Sequence, residues 1–182
     1  LIPEGPGFIL TTGEISRYIM LKLSYQKLKS HWDMLIVLIS VGFICFNLVQ
    51  DFDYWTHLAL GNQYIKHGTL SLTEPFLAGY TDTPLDNSEW LFQILLVFIK
   101  NLFSDVGVSV FVALSAVAAA WCLTRVIVPE KDDGRRLLGL LVVIGSFWAA
   151  RGRFQPRPEV LAYVFMCASL LMAYRFTKTP RL

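Results

Sequence analysis

The chain has 182 residues, of which 54% are apolar and 16% charged, and its mean hydropathy is +0.50. Soluble domains of this length rarely reach such a composition, so a membrane protein is expected. Sixteen basic and 14 acidic residues leave a net charge of +2, too small a surplus to suggest a nucleic-acid partner, and the basic residues gather near the ends of apolar runs, where lipid headgroups meet them.

Residues 1–13 carry Pro3, Pro6 and several glycines and are expected to be irregular. Over residues 14–30, Ile15, Tyr18, Ile19, Leu21, Leu23, Tyr25 and Leu28 alternate with Arg17, Lys22, Lys27 and Lys29. That pattern suits a basic amphipathic helix lying on a membrane surface or packed on another subunit. Residues 1–30 therefore read as an N-terminal segment and 31–182 as a transmembrane module, with the whole chain all-α.

The first spanning run is 34–49, with Trp32 as an interface anchor. Lysines before it and carboxylates after it place its start in the cytoplasm and residues 51–89 on the outer, periplasmic side of an inner (plasma) membrane. Residues 54–66 suit an interfacial helix capped by Gly68, and the following stretch, broken by Pro75, Gly79, Pro84 and Asn87, reads as loop. Further apolar runs begin at Glu89 and cover 106–128, 137–150 and 160–176, which makes about five membrane segments in a multi-pass bundle, two of them short. If every run crosses, residues 129–136 lie outside and 151–158 inside. A run that only re-enters the membrane reverses both assignments.

Cys45, Cys122 and Cys167 each fall inside an apolar run. Their wide spacing makes neither a disulfide framework nor a zinc site, and they read as small buried residues. A cleavable signal is not evident, because the first long apolar run begins about thirty residues in. A start at Leu1 and a stop at Leu182, just past an apolar run, suggest a processed chain or an incomplete module.

The chemistry concentrates in "DFDYWTHLALGNQYIKHGTL", residues 51–70. Carboxylates so close to lipid are costly unless solvated, paired or bound to a cation. Asp51 and Asp53 have the spacing to share one hard divalent ion, magnesium or manganese, and His57, four residues beyond Asp53, falls on the same helical face as a third ligand or a base. The plain alternative is that the two aspartates cap a surface helix and that His57 and Trp55 are interface residues.

Taken together, "DFDYWTHLALGNQYIKHGTLSLTEPF" and "NSEWLFQILL" resemble the first outer loop of bacterial multi-pass proteins of the GT-C glycosyltransferase superfamily. The shared elements are a D-x-D, an aromatic-x-H-L, an L-G-x-x-I, an H-G, an E-P-F where D-P-F is usual, and an E-W-L opening the next span; "RFQPRPEVLAYVF" resembles a later R-P-rich motif. The resemblance covers about residues 34–176. It implies transfer of a sugar from a polyprenyl-phosphate donor to an acceptor on the outer face, with Asp51 or Asp53 as the catalytic carboxylate and the other supporting it or binding a metal. His57, Trp55, Glu89, Arg153 and Arg157 are the accompanying substrate-binding candidates, the arginines serving the lipid phosphate if their loop is outside and topology alone if it is inside. Membrane lipid, the lipid-linked donor and other membrane subunits are the expected partners. Two other functions stay open: a non-catalytic subunit that uses this scaffold to hold a larger membrane complex, and a transporter or flippase of lipid-linked material.

Overall fold

The computed structural model describes residues 12–48, 51–69, 72–73, 84–85, 87–129 and 133–178. Helices α1 (Thr12–Cys45), α2 (Phe52–His67), α3 (Trp90–Ile127), α4 (Asp133–Ala150) and α5 (Glu159–Lys178) account for nearly all of them. A short 3₁₀ turn, Arg151–Arg153, joins α4 to α5, and β1 (Leu72–Thr73) pairs antiparallel with β2 (Pro84–Leu85). The fold is all-α. The E-P-F element at 74–76 lies outside the described residues.

Two helices, Trp90–Ile127 and Glu159–Lys178, are long and apolar enough to cross a membrane, and His31–Cys45 is a shorter apolar stretch. The amphipathic segment expected at 14–30 is continuous with that stretch in the 34-residue α1. The runs expected as separate spans from 89 and from 106 form one element, α3, broken at Ser104 (φ 61, ψ −170). This backbone conformation is one that glycine alone adopts freely, and it divides α3 into two arms that pack on different partners.

The first arm packs on α2. Tyr54, Leu58, Gly61 and Tyr64 recur on one face of α2 at helical spacing and are buried, meeting Phe92, Leu96 and Val97 of α3 in an apolar cluster. Gly61 sets the approach of the two helices: a Cβ there would lie 2.4 Å from the Gln93 carbonyl oxygen and 2.8 Å from Val97 Cγ2. The second arm presents Val112, Ala116, Ala119 and Ala120 to Val37, Val41 and Cys45 of α1, Val143 and Phe147 of α4 and Val160, Cys167 and Leu171 of α5. Alanines on that face let the backbones approach closely, the packing mode of helices in lipid.

Two ion pairs fix the direction of the bundle. Asp33 of α1 accepts from Arg136 Nε near the start of α4 at 2.9 Å, and Asp51, after the end of α1, meets Arg157, after the end of α4. The apolar stretch of α1 and α4 therefore run the same way, with the second arm of α3 returning between them.

Candidate functional site

Asp51 sits at the N-cap of α2, where its carboxylate accepts the Asp53 N–H at 3.3 Å, and Asp53 occupies the first turn, where the helix dipole favours a negative charge. Gly68 (φ 63) closes the other end by donating its N–H to the Tyr64 carbonyl at 3.0 Å. The plain capping role of the acidic pair is thus present. A second role is superimposed on it.

Arg157 reaches the pair from a position 106 residues away in sequence. Its Nε donates to Asp51 Oδ2 at 2.5 Å and its Nη2 to Asp51 Oδ1 at 2.9 Å, the parallel fork that a guanidinium makes with a carboxylate. The same Nη2 lies 2.9 Å from Asp53 Oδ2. Asp51 is only 9% exposed and Asp53 55%, so the first is a held group and the second faces water. The Arg157 guanidinium holds the Asp51 carboxyl below the usual carboxylate range against the opposing effect of burial, and Asp51 in turn holds Arg157 protonated.

Beside this clasp lies a cavity of about 440 Å³ lined by Asp51, Gly152, Arg153, Gln155, Arg157, Glu159 and Tyr163, within the roughly 300–1,000 Å³ usual for ligand sites. Arg153 is exposed and has no ion-pair partner among the described residues. The lining therefore combines a held carboxylate, a held guanidinium and an exposed cation.

The other expected site residues separate into two neighbouring groups. His57 turns toward α3, its Nδ1 3.3 Å from Gln93 Nε2 and 3.6 Å from Glu89 Oε2, with the ring edge-on to Phe92. His57 is still close enough to Asp51 to act on it electrostatically. Asn87 completes this group by donating to Tyr64 Oη at 2.9 Å and to Gln93 Oε1 at 2.8 Å. Trp55 stands apart from the cavity, its ring under Lys100 Nζ at 4.6 Å. Lys100 also pairs with Asp105 at 3.1 Å, and Asp105 accepts from the Tyr54 hydroxyl, so this cluster ties α2 across the break at Ser104. Burial and the Asp105 carboxylate together push the Tyr54 hydroxyl pKa up.

A divalent ion does not fit the set Asp51, Asp53 and His57 as arranged. A guanidinium already stands between the two carboxylates, and Nδ1 of His57 faces Gln93 on the α3 side. Among the described residues no group of three or more His, Cys, Asp and Glu side chains is placed to hold one ion. Magnesium or manganese at this position would have to displace Arg157.

Gln93, Gln155, Glu159 and Tyr163 were not singled out in the sequence, and Asn87 stood out only as a loop residue. Gln93 carries the clearest signal, a lone amide inside "WLFQILLV", where an unpaired polar group is costly. Gln155 and Tyr163 carry none, because only the course of α4 alongside α1, which starts α5 near the end of α1, brings them to Asp51. The chain matches no protein-family model, no curated protein and no solved structure.

Proposed function

We propose that the chain is part of a multi-pass membrane protein of GT-C type that transfers a sugar from a polyprenyl-phosphate donor at the outer face of the membrane. The observation that carries this reading is the convergence of Asp51 with Arg153 and Arg157 on one cavity at the end of an apolar helix bundle. In the proposed topology the apolar stretch of α1, the second arm of α3, α4 and α5 cross the membrane, while α2 and the first arm of α3 lie on the outer surface. Arg135 and Arg136 then fall on the cytoplasmic side with Lys22 and Lys29, as the positive-inside rule favours. Arg151, Arg153 and Arg157 fall outside against that rule, and an anionic lipid phosphate gives them a function there.

The chemistry follows from the charge arrangement. Arg153 and Arg157 receive the donor phosphate, whose negative charge grows as the bond from sugar C1 to phosphate oxygen breaks. The acceptor hydroxyl attacks C1 from the opposite face, its oxygen forming the new bond, its proton passing to a carboxylate, and the lipid phosphate leaving with the electron pair. Asp53, bound to Arg157 through one oxygen and otherwise in water, is the group available to take the proton, and Asp51, kept ionised, stabilises the positive charge that develops on the sugar. No step is assigned to a metal.

The alternative of a non-catalytic subunit is favoured by the same clasp, since a bidentate pair joining the α1–α2 junction to the segment between α4 and α5 is structurally useful without any substrate. Transfer measured with a polyprenyl-linked sugar in proteoliposomes separates the two. Asp53→Asn and Arg153→Gln are each expected to reduce turnover at least about a hundredfold while leaving helical content unchanged. Transfer that survives both substitutions removes the enzymatic reading and leaves the subunit. The same assay with EDTA, and then with magnesium or manganese restored, tests the metal: dependence on the added ion would show that a cation replaces Arg157 between the carboxylates.

A further inference from the structure

A chain of hydrogen bonds that starts at the N-cap of α3 leads to His57. Glu89 N–H is an unambiguous donor and points at Asn87 at 3.0 Å, so the side-chain atom of Asn87 that faces it must be the carbonyl oxygen. The NH₂ of Asn87 is thereby directed elsewhere, to Tyr64 Oη and to Gln93. The Gln93 atom that receives it at 2.8 Å must be Oε1, which leaves Nε2 as the atom facing His57 Nδ1. Gln93 is 1% exposed, and its backbone is locked against Gly61, so its amide has little room to choose another orientation. An N–H facing Nδ1 requires a lone pair there. In a neutral imidazole the proton must then sit on the opposite nitrogen.

We infer that Asn87 and Gln93 are positioning residues that hold His57 as the Nε2–H tautomer, making it a neutral hydrogen-bond donor beside Asp51 rather than a base or a metal ligand. Glu89 Oε2, 3.6 Å from Nδ1, is the competing partner that would draw the proton to Nδ1. Gln93 opposes it, because two N–H groups would then face each other at 3.3 Å. Nε2 has no acceptor among the described residues, so its N–H is available to a ligand oxygen. The use of that donor in turnover rests on the sugar-transfer reading above; the tautomer itself does not.

The test is long-range ¹H–¹⁵N correlation on histidine-labelled protein in detergent, at a pH where the imidazole is neutral, with the His57 signal assigned by its loss in His57→Gln. Wild type is expected to show a protonated Nε2 and a lone-pair-type Nδ1. Asn87→Asp keeps the acceptor for Glu89 N–H but can no longer donate to Gln93. The Gln93 amide should then rotate, present Oε1 to His57 and exchange the two nitrogen signals. Gln93→Glu should cause the same exchange by supplying an acceptor directly. A wild-type proton on Nδ1, or an unchanged pattern in folded Asn87→Asp, overturns the inference. In the transfer assay, Asn87→Asp should lose roughly tenfold in turnover, the value of one hydrogen bond at the site, and unchanged turnover despite a switched tautomer overturns the positioning role. Absence of transfer by wild type counts against the sugar-transfer reading alone, because the spectra still decide the tautomer.

Discussion

Removing the charge of Asp51 tests the clasp that closes the site. Asp51 does two things, capping α2 and pairing with Arg157, and two substitutions separate them. Asparagine caps a helix about as well as aspartate, whereas loss of a cap to alanine costs about 1 kcal/mol. The pair is intermediate between the exposed and buried classes, with Asp51 9% and Arg157 40% exposed. Exposed pairs contribute about 0.2–1 kcal/mol, breaking a buried one costs about 3–5 kcal/mol, and about 2 kcal/mol is expected for Asp51→Asn between these limits. Asp51→Ala should then cost about 3 kcal/mol, the added 1 kcal/mol being the cap. For a chain of this size these losses lower the melting temperature by about 4–8 °C and 6–12 °C. Thermal unfolding in detergent, followed by far-ultraviolet circular dichroism, measures both, and a double-mutant cycle with Arg157→Gln should give a coupling of about 1–2 kcal/mol. The pH dependence has a definite sign. Because Asp51 is held below the carboxylate value of the unfolded chain, its stabilisation is complete above about pH 4 and is lost as pH falls through the lowered folded value. The Asp51→Asn deficit should therefore shrink toward zero in strong acid. A cycle with no coupling, or equal effects of the asparagine and alanine substitutions, would refute this account of the site.

Gly61→Val should separate α2 from the first arm of α3, because even a Cβ meets the Gln93 carbonyl at 2.4 Å; a loss of about 1–3 kcal/mol is expected from overpacking, read as a lower unfolding midpoint. Ser104→Gly should stabilise the protein, since glycine adopts φ 61, ψ −170 without the strain that serine carries, a relief of about 1–3 kcal/mol that exceeds glycine's added chain entropy of about 0.5–1 kcal/mol. Cysteines introduced at Thr56 and Gly152, both exposed, should react with an impermeant thiol reagent in intact cells, whereas one at exposed Gly134 should react only after lysis. The native Cys45, Cys122 and Cys167 are buried and contribute little background. Labelling of Gly134 together with Thr56 in intact cells would contradict the proposed crossings.

Much of this protein was legible in its order of residues. The apolar runs carry the helical class because lipid and a helix core both demand continuous apolar surface with every backbone group bonded internally. Local chemistry was equally readable at α2, where Asp51, Asp53 and Gly68 mark the two ends through interactions that span only a few residues. Hydropathy could not tell two spans from one broken helix at 89–128, since the break at Ser104 is a backbone conformation of a residue with no turn signature. Nor did the i, i+4 spacing of Asp53 and His57 bring them into one ligand set, because tertiary partners claimed each separately: Arg157 took the carboxylates and Gln93 took the imidazole. Which side of the bundle the arginines of 151–157 occupy was undecidable from charge counting alone. Within the fold α4 runs alongside the apolar stretch of α1 in the same direction, and this carries Arg157, just past the end of α4, to the end of α1, where Asp51 has the opposite charge.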